Sequence, residues 1–419
     1  MVAGGIALVV LLVGCASRPD DASLPPAVAA TPTNPATMAP VTPAGPAVSA
    51  AATPTASMPA VGDDGCFDRP AHGVTIEAVH VYQSVSIPLV EGGTVVDGSE
   101  RAVDIVAGKD AVIAVDLETG PDWSPRPVAA RISVLQGSGD PVVRSQRVGP
   151  GVDRPTAEGP GDAHVDVPAD EVRSDTKVAV TVVECTPDGL VGAAPDGPTP
   201  TGAWIPLTAR ETGGITIHLI PFDVGGFVPS TAPAVLEGYR AALLATYPVT
   251  DVEITVGDVV DGGDTPDLGE LLVTVGRIRD QDRPPKDVYY YGLVSGASSR
   301  AEYCDDCVTG TSEAGTRSHV GFAIGAAFAD QRSEETLLHE LGHAHGLGHA
   351  PCGDPDMVDE TFPYEDGGIG VPGFDRRSGA VVPETASDLM GYCFPRWISD
   401  HHYQRLVDRV AEVNQALDE

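Results

Sequence analysis

Eleven residues in the last quarter of the chain carry the clearest chemistry. They read His339-Glu340-Leu341-Gly342-His343-Ala344-His345-Gly346-Leu347-Gly348-His349. Residues four apart share one face of an α-helix, so His339 and His343 can offer two imidazoles to a single ion. Glu340 stands next to His339 and flanks such an ion without replacing a ligand. Gly346 permits a sharp exit from the helix, because glycine tolerates left-handed backbone angles. The turn brings His349 back as a third nitrogen ligand. Three histidines leave the fourth tetrahedral position to water, the pattern of a catalytic zinc site. Zinc brings the acidity of water toward neutrality and polarises a carbonyl. Glu340 is placed to take the proton as general base and to pass it to a leaving amine. The spacing predicts hydrolysis of a peptide bond by attack of a zinc-bound water.

His339, Glu340, His343, Gly346 and His349 match, residue by residue, the motif of the metzincin zinc metalloendopeptidases, which this chain therefore resembles. The resemblance implies a metzincin-like α/β catalytic domain and a downstream Met-turn beneath the zinc ligands. Asp388-Leu389-Met390-Gly391-Tyr392 fits that turn, with Met390 as the methionine. For Tyr392 it implies an oxyanion-stabilising role or a fifth ligand; a packed aromatic is the plain alternative. Ala350 departs from several familiar metzincin families, which place an acidic residue, Ser or Pro there. Phe362-Pro363-Tyr364, Gly368-Ile369-Gly370, Gly373-Phe374-Asp375, Met390-Gly391-Tyr392-Cys393 and Trp397-Ile398-Ser399-Asp400 look more like the secreted bacterial mucin-cleaving metzincins. That likeness implies protein or glycoprotein substrates. Pro351-Cys352-Gly353-Asp354 is not a cysteine switch, since it lacks the Arg of that motif and follows the ligands. Cys352 and Cys393 lie three residues past His349 and Met390, so both would be held near the metal and could pair.

These residues need elements to position them. Ile215 to Ile220, Val252 to Val256, Leu271 to Val275, Tyr289 to Val294 and Val320 to Ile324 read as strands. Thr231 to Thr246 reads as a helix capped by Ser230 or Thr231, with Pro233 in its first turn. A second helix runs into the histidine motif, with Ser333 as its cap and Glu335 in its first turn. A last helix spans Ser399 to about Leu417. Strands and helices in this order predict an α/β or α+β body.

Upstream, from Cys66 to about Trp204, β-branched runs alternate with Gly, Pro and Asp clusters, as in a β-sandwich. Cys66 and Cys185 lie near its two ends and could staple it. The expected fold class is thus α+β: an N-terminal β-sandwich (residues 63–210) followed by the catalytic domain (211–419). Structural support is the plainer role for the sandwich, ahead of substrate binding.

Residues 1–15 read as a lipoprotein-type signal. Ile6 to Val13 is an apolar run too short to span a bilayer. Leu12-Val13-Gly14-Cys15 resembles the bacterial lipobox, which would make Cys15 a lipidated N-terminus and the membrane contact of the mature protein. No Lys or Arg precedes the run, a departure from the usual positive start. Residues 16–62, rich in Ala, Pro and Thr, read as a disordered, semi-stiff spacer. The six remaining cysteines suit disulfides in an exported protein, and Cys304-Asp305-Asp306-Cys307 reads as a small disulfide loop sooner than a metal site. The expected location is a bacterial cell surface or envelope, with possible release. The chain is read as a monomer.

With 25 basic and 60 acidic side chains, the formal charge is −35. Nucleic acid is a poor partner for such a chain, since its affinity comes from Lys and Arg on phosphates. Asp354, Asp356, Asp359 and Glu360 could bind calcium, although a solvated acidic loop is the simpler expectation. His345 should lie off the ligand face, behind the ligands or exposed, and His401 and His402 should lie at the surface. The rival reading is a surface adhesin or binding module with an inactive metalloprotease-like domain; an intact Glu340 argues against it.

Overall fold

The Val- and Ile-rich runs of the first half form two antiparallel sheets. The computed structural model describes residues 60–150, 159–187, 203–265, 267–303, 308–315 and 320–416. Cys15, Cys304, Cys307 and the end of the last helix at Leu417 lie outside them. The strands of this half are β1 (Val74–Gln83), β2 (Val85–Glu91), β3 (Thr94–Val95), β4 (Ala111–Thr119), β5 (Val128–Leu135), β6 (Val142–Val148), β7 (Ala163–Val167), β8 (Lys177–Glu184) and β9 (Ile205–Pro206). One sheet has the order β6-β5-β8-β9; the other runs β2-β1-β4-β7, with β3 beside β2. Val79, Val81, Ile113 and Val115 of one sheet share a buried cluster with Val128, Ile132, Val178 and Val180 of the other. This is the expected sandwich. A disulfide joins Cys66 to Cys185.

The second half follows as β10 (Ile215–Asp223), α1 (Pro233–Thr246), β11 (Val252–Val256), β12 (Val260–Asp261), α2 (Leu268–Asp282), β13 (Val288–Val294), α3 (Arg300–Tyr303), β14 (Gly310–Glu313), β15 (Phe322–Ala326), α4 (Gln331–Ala344), β16 (Gly373–Asp375), β17 (Ala380–Val382), β18 (Ser387–Asp388), β19 (Arg396–Trp397) and α5 (Asp400–Gln415). Its sheet has the order β11-β10-β13-β15-β14. All its pairs are parallel except β14 with β15. Side chains alternate across it with a period of two. Tyr289 and Tyr291 enter the main core with Tyr239 and Leu243 of α1 and Leu337 and Leu341 of α4. Tyr290 turns to the opposite face, where Leu271, Leu272 and Val275 of α2 cover it. The molecule is α+β.

Five local expectations are corrected. Leu271 to Val275 is helix, not strand: Asp267 accepts a hydrogen bond from Glu270 N at 3.0 Å and opens α2. Leu268, Leu271, Leu272 and Val275 then fall at helical spacing, which a short apolar run disguises. The residue before α1 is Ala232, with no side-chain cap; Pro233, whose missing N–H is no loss in a first turn, starts the helix. The cap of α4 is Asp330, whose Oδ1 accepts from Ser333 N at 2.8 Å and Ser333 Oγ at 2.6 Å. Glu334, not Glu335, is therefore the acidic residue of that first turn. The last expected strand lies two residues later, at Phe322–Ala326.

The two halves share hydrogen bonds. β16 extends the β2-β1-β4-β7 sheet through the pairing of Gly373 with Val85. Ser86 N donates to Pro372 O at 2.9 Å, Phe374 N to Ser84 O at 2.9 Å, and Trp397 Nε1 to Ser84 O at 2.8 Å. Ser84 Oγ donates to Ala245 O in α1 at 2.7 Å.

Lys109 adds a buried contact, its Nζ donating to Leu244 O. Burial pushes this ammonium from 10.5 down to about 7. Between those values the unfolded chain holds the extra proton, so folding gains stability as pH rises. Urea midpoints of the protein should climb between pH 8 and 10. Lys109→Met should flatten that climb; equal slopes for both proteins would contradict the burial of a titrating lysine.

Candidate metal centre

α4 carries His339, Glu340 and His343 on its buried side, and the chain leaves the helix at Gly346, whose φ is +92°. An L-residue with a side chain is strained at that angle. The turn returns His349 to the first two histidines. His343 Nε2 lies 3.2 Å from His339 Nε2 and 3.0 Å from His349 Nε2. The other ring nitrogens are all engaged. His339 Nδ1 donates to Leu389 O at 2.9 Å, His343 Nδ1 to Leu347 O at 2.9 Å, and His349 Nδ1 to Asp356 O. Each imidazole is thus fixed with its Nε2 lone pair turned inward, the arrangement that outer partners impose on metal-ligating histidines. The three form a group able to hold a metal ion. Burial depresses all three, His343 to about 3, so the rings are in the neutral form that ligates.

Glu340 is 2 % exposed and its Oε2 has no hydrogen-bond partner. Burial pushes the carboxyl up to about 8, and a neighbouring dication would favour its ionised form. Gly310 of β14 makes room for it: a Cβ there would come within 2.5 Å of Glu340 Cγ and Oε1. The edge strand and the motif helix are in direct contact at this point.

Met390 packs under the helix. A Cβ on Gly342 would meet its sulfur at 2.5 Å, so the glycine in the middle of the motif permits the close approach. The Tyr392 hydroxyl lies 3.2 Å from His349 Nε2, and its ring centre is 5.1 Å from that imidazole. Tyr392 N donates to Cys352 O at 2.7 Å, and a disulfide joins Cys352 to Cys393. Met390 and Tyr392 thus sit together at the ligands.

Asp388 holds this loop in place, a part that sequence reasoning missed. Its carboxylate is fully buried and accepts from Met390 N at 2.7 Å, Ser399 N at 2.8 Å and His402 Nδ1 at 2.8 Å. Burial opposes ionisation, but His402, Ser399 and Met390 outweigh it and hold the carboxyl below its ordinary value. The one available signal was a Ser where the last helix begins: Ser399, expected as its first residue, is instead its cap, with Oγ accepting from His402 N at 3.1 Å.

Two histidine expectations change and one narrows. His345 lies off the ligand face as expected, and of its two alternatives it is the buried one, stacked on Tyr289 with ring centres 4.6 Å apart and donating to Leu341 O at 2.6 Å. His402 is wholly buried and His401 partly so, because Asp388 and Asp359 draw the first turn of α5 inward. Asp354, Asp356 and Glu360 are exposed, while Asp359 turns away from them to Arg405 and His401.

Residues 293–389, from the end of β13 to the residue before Met390, match the model of a family described as Peptidase M66. With the three convergent imidazoles, that match makes the chain a metallopeptidase. No curated protein matches the chain.

Asp388 contributes stability that is present above the ordinary carboxylate value of 3.8 and is lost as pH falls through its lower folded value. Asp388→Asn should cost about 1–3 kcal/mol at pH 7, the cost of leaving buried donors without their charged acceptor. The gap between variant and wild type should narrow at pH 3. Urea unfolding at both pH values checks this; a gap of equal size at pH 3 would speak against an ionised Asp388.

Proposed function

We propose that the protein is an exported zinc endopeptidase of metzincin-like type, acting on protein or glycoprotein substrates, with Glu340 as general base. One observation carries the reading. Three neutral Nε2 atoms converge while every Nδ1 is engaged by a backbone carbonyl, and the buried Glu340 Oε2 on the same helix has no partner. Such a donor set fits zinc, with a fourth position to spare. His339, His343 and His349 would hold it. When bound, zinc supplies a Lewis acid that acidifies water and polarises a peptide carbonyl.

The chain's own groups do the rest. The three backbone carbonyls keep the imidazoles aimed. Glu340 accepts the proton of the attacking water and returns it to the departing amine. Met390 fills the space under Gly342 and fixes the floor of the site. The Tyr392 hydroxyl serves the oxyanion, donating a hydrogen bond as charge develops. β14 ends its sheet, and an extended substrate can align along it beside Glu340. The two disulfides among the described residues favour an oxidising compartment. No helix of the described residues is long and apolar enough to cross a membrane, and Cys15 is the proposed lipid attachment point.

Glu340→Ala should keep its metal and lose about 10²–10⁴ in kcat on casein and on mucin, and a chelator should abolish wild-type cleavage. Equal cleavage by variant and wild type would sink the catalytic reading. Tyr392→Phe should lower kcat about ten- to a hundredfold with KM unchanged. A change confined to KM in steady-state kinetics would remove Tyr392 from the oxyanion role.

A further inference from the structure

A second set of donor atoms lies outside the triad. Asp359, His401 and His402 each turn one atom to a common point, all within 4.8 Å of one another. His401 Nε2 is 3.1 Å and His402 Nε2 3.7 Å from Asp359 Oδ2. The other oxygen of Asp359 is occupied by Thr361, N–H at 2.9 Å and hydroxyl at 2.6 Å, which aims Oδ2 into the cluster.

His402 is the informative member. Its side chain has no exposure, and its Nε2 has no hydrogen-bond partner. Its Nδ1 is taken by Asp388. With Nδ1 held by Asp388, the unpartnered Nε2 is turned to the Asp359 carboxylate 3.7 Å away. A buried nitrogen without a partner, a second imidazole and a carboxylate oxygen thus converge where a divalent ion could take the place of Arg405 as the cation on Asp359. A carboxylate on the far nitrogen is also the usual support of a metal-ligating histidine.

The surroundings allow an ion to enter. An open cavity of about 310 Å³, lined in part by Tyr364, Asp400, His401 and Arg405, adjoins the cluster. Arg405 Nη1 also reaches Asp359 Oδ2, but its side chain is 40 % exposed and can turn outward into that cavity. Two imidazoles and one carboxylate suit zinc and its transition-metal neighbours better than calcium or magnesium, which prefer all-oxygen cages.

We propose that Asp359, His401 and His402 form a second metal site, separate from the histidine triad, that takes a divalent transition ion, zinc foremost. Its place gives it a role. Asp359 N donates to His349 O at 2.8 Å, and His349 N to Met357 O at 3.2 Å. An ion on Asp359 therefore ties the segment bearing the third triad histidine to the first turn of α5.

Metal counting tests this independently of cleavage. The full chain is stripped with chelator, dialysed against a small excess of Zn²⁺, gel-filtered, and its zinc per chain measured by plasma mass spectrometry. Two equivalents are expected in the wild type, one in His343→Ala and one in His401→Gln. His401 is the chosen position because its replacement leaves the His402–Asp388 pair intact. Zn²⁺ should also raise the melting temperature of His343→Ala, through binding to the folded state, and fail to do so in His343→Ala/His401→Gln. A wild type holding one equivalent that His343→Ala loses overturns the second site and leaves the triad reading standing. One equivalent that survives His343→Ala and disappears in His401→Gln supports the second site and removes the triad.

Discussion

The buried carboxylate of Asp388 is the constraint on which the metal centre depends. A charge removed from water must be met by donors, and this one is met by three: the N–H of Met390, the N–H of Ser399 and the imidazole of His402. The first shapes the loop under the motif helix. The second and third fix the start of α5 against that loop. Leu389, between Asp388 and Met390, gives its carbonyl to His339. One buried anion thus sets the position of the methionine, the orientation of a ligand and the docking of the last helix.

The motif helix is held from its other sides by equally local devices. Asp330 and Ser333 start it, Gly346 ends it, and the Tyr247 hydroxyl donates to Leu338 O at 2.5 Å. Gly310 and Gly342 are places where a missing side chain lets a neighbour approach: Glu340 in one case and Met390 in the other. Catalytic geometry here is a matter of withheld volume as much as of placed donors.

Much of this could be read in the residues alone. His339, Glu340 and His343 are found together because helical periodicity is rigid, and Gly346 allows the turn that returns His349; Met390 and Tyr392 came from the resemblance to a known motif, and the structure brings both to the ligands. The sandwich strands were plain in their β-branched runs, and Ser399 announced α5. What stayed hidden depends on contacts distant in sequence. His402 looked like a surface residue until Asp388, 14 residues away, gave it a buried partner. Leu271 to Val275 looked like a strand because five apolar-rich residues fit either period, and the deciding cap, Asp267, is a single side chain. Asp330 and Ser333 are both good caps by type; only the helix start distinguishes them.

The hairpin of β16 and β17 lies between His349 and Met390 in sequence, yet it completes the edge of a sheet begun by residues 74–91. A fragment starting near residue 211 would keep every metal-binding side chain and lose the strand that covers this edge. A lone two-stranded hairpin is marginal in water, and its bared backbone groups invite pairing with another chain. Strand β2 is therefore a cover for this hairpin, and removing residues 74–91 would bare an edge prone to self-association.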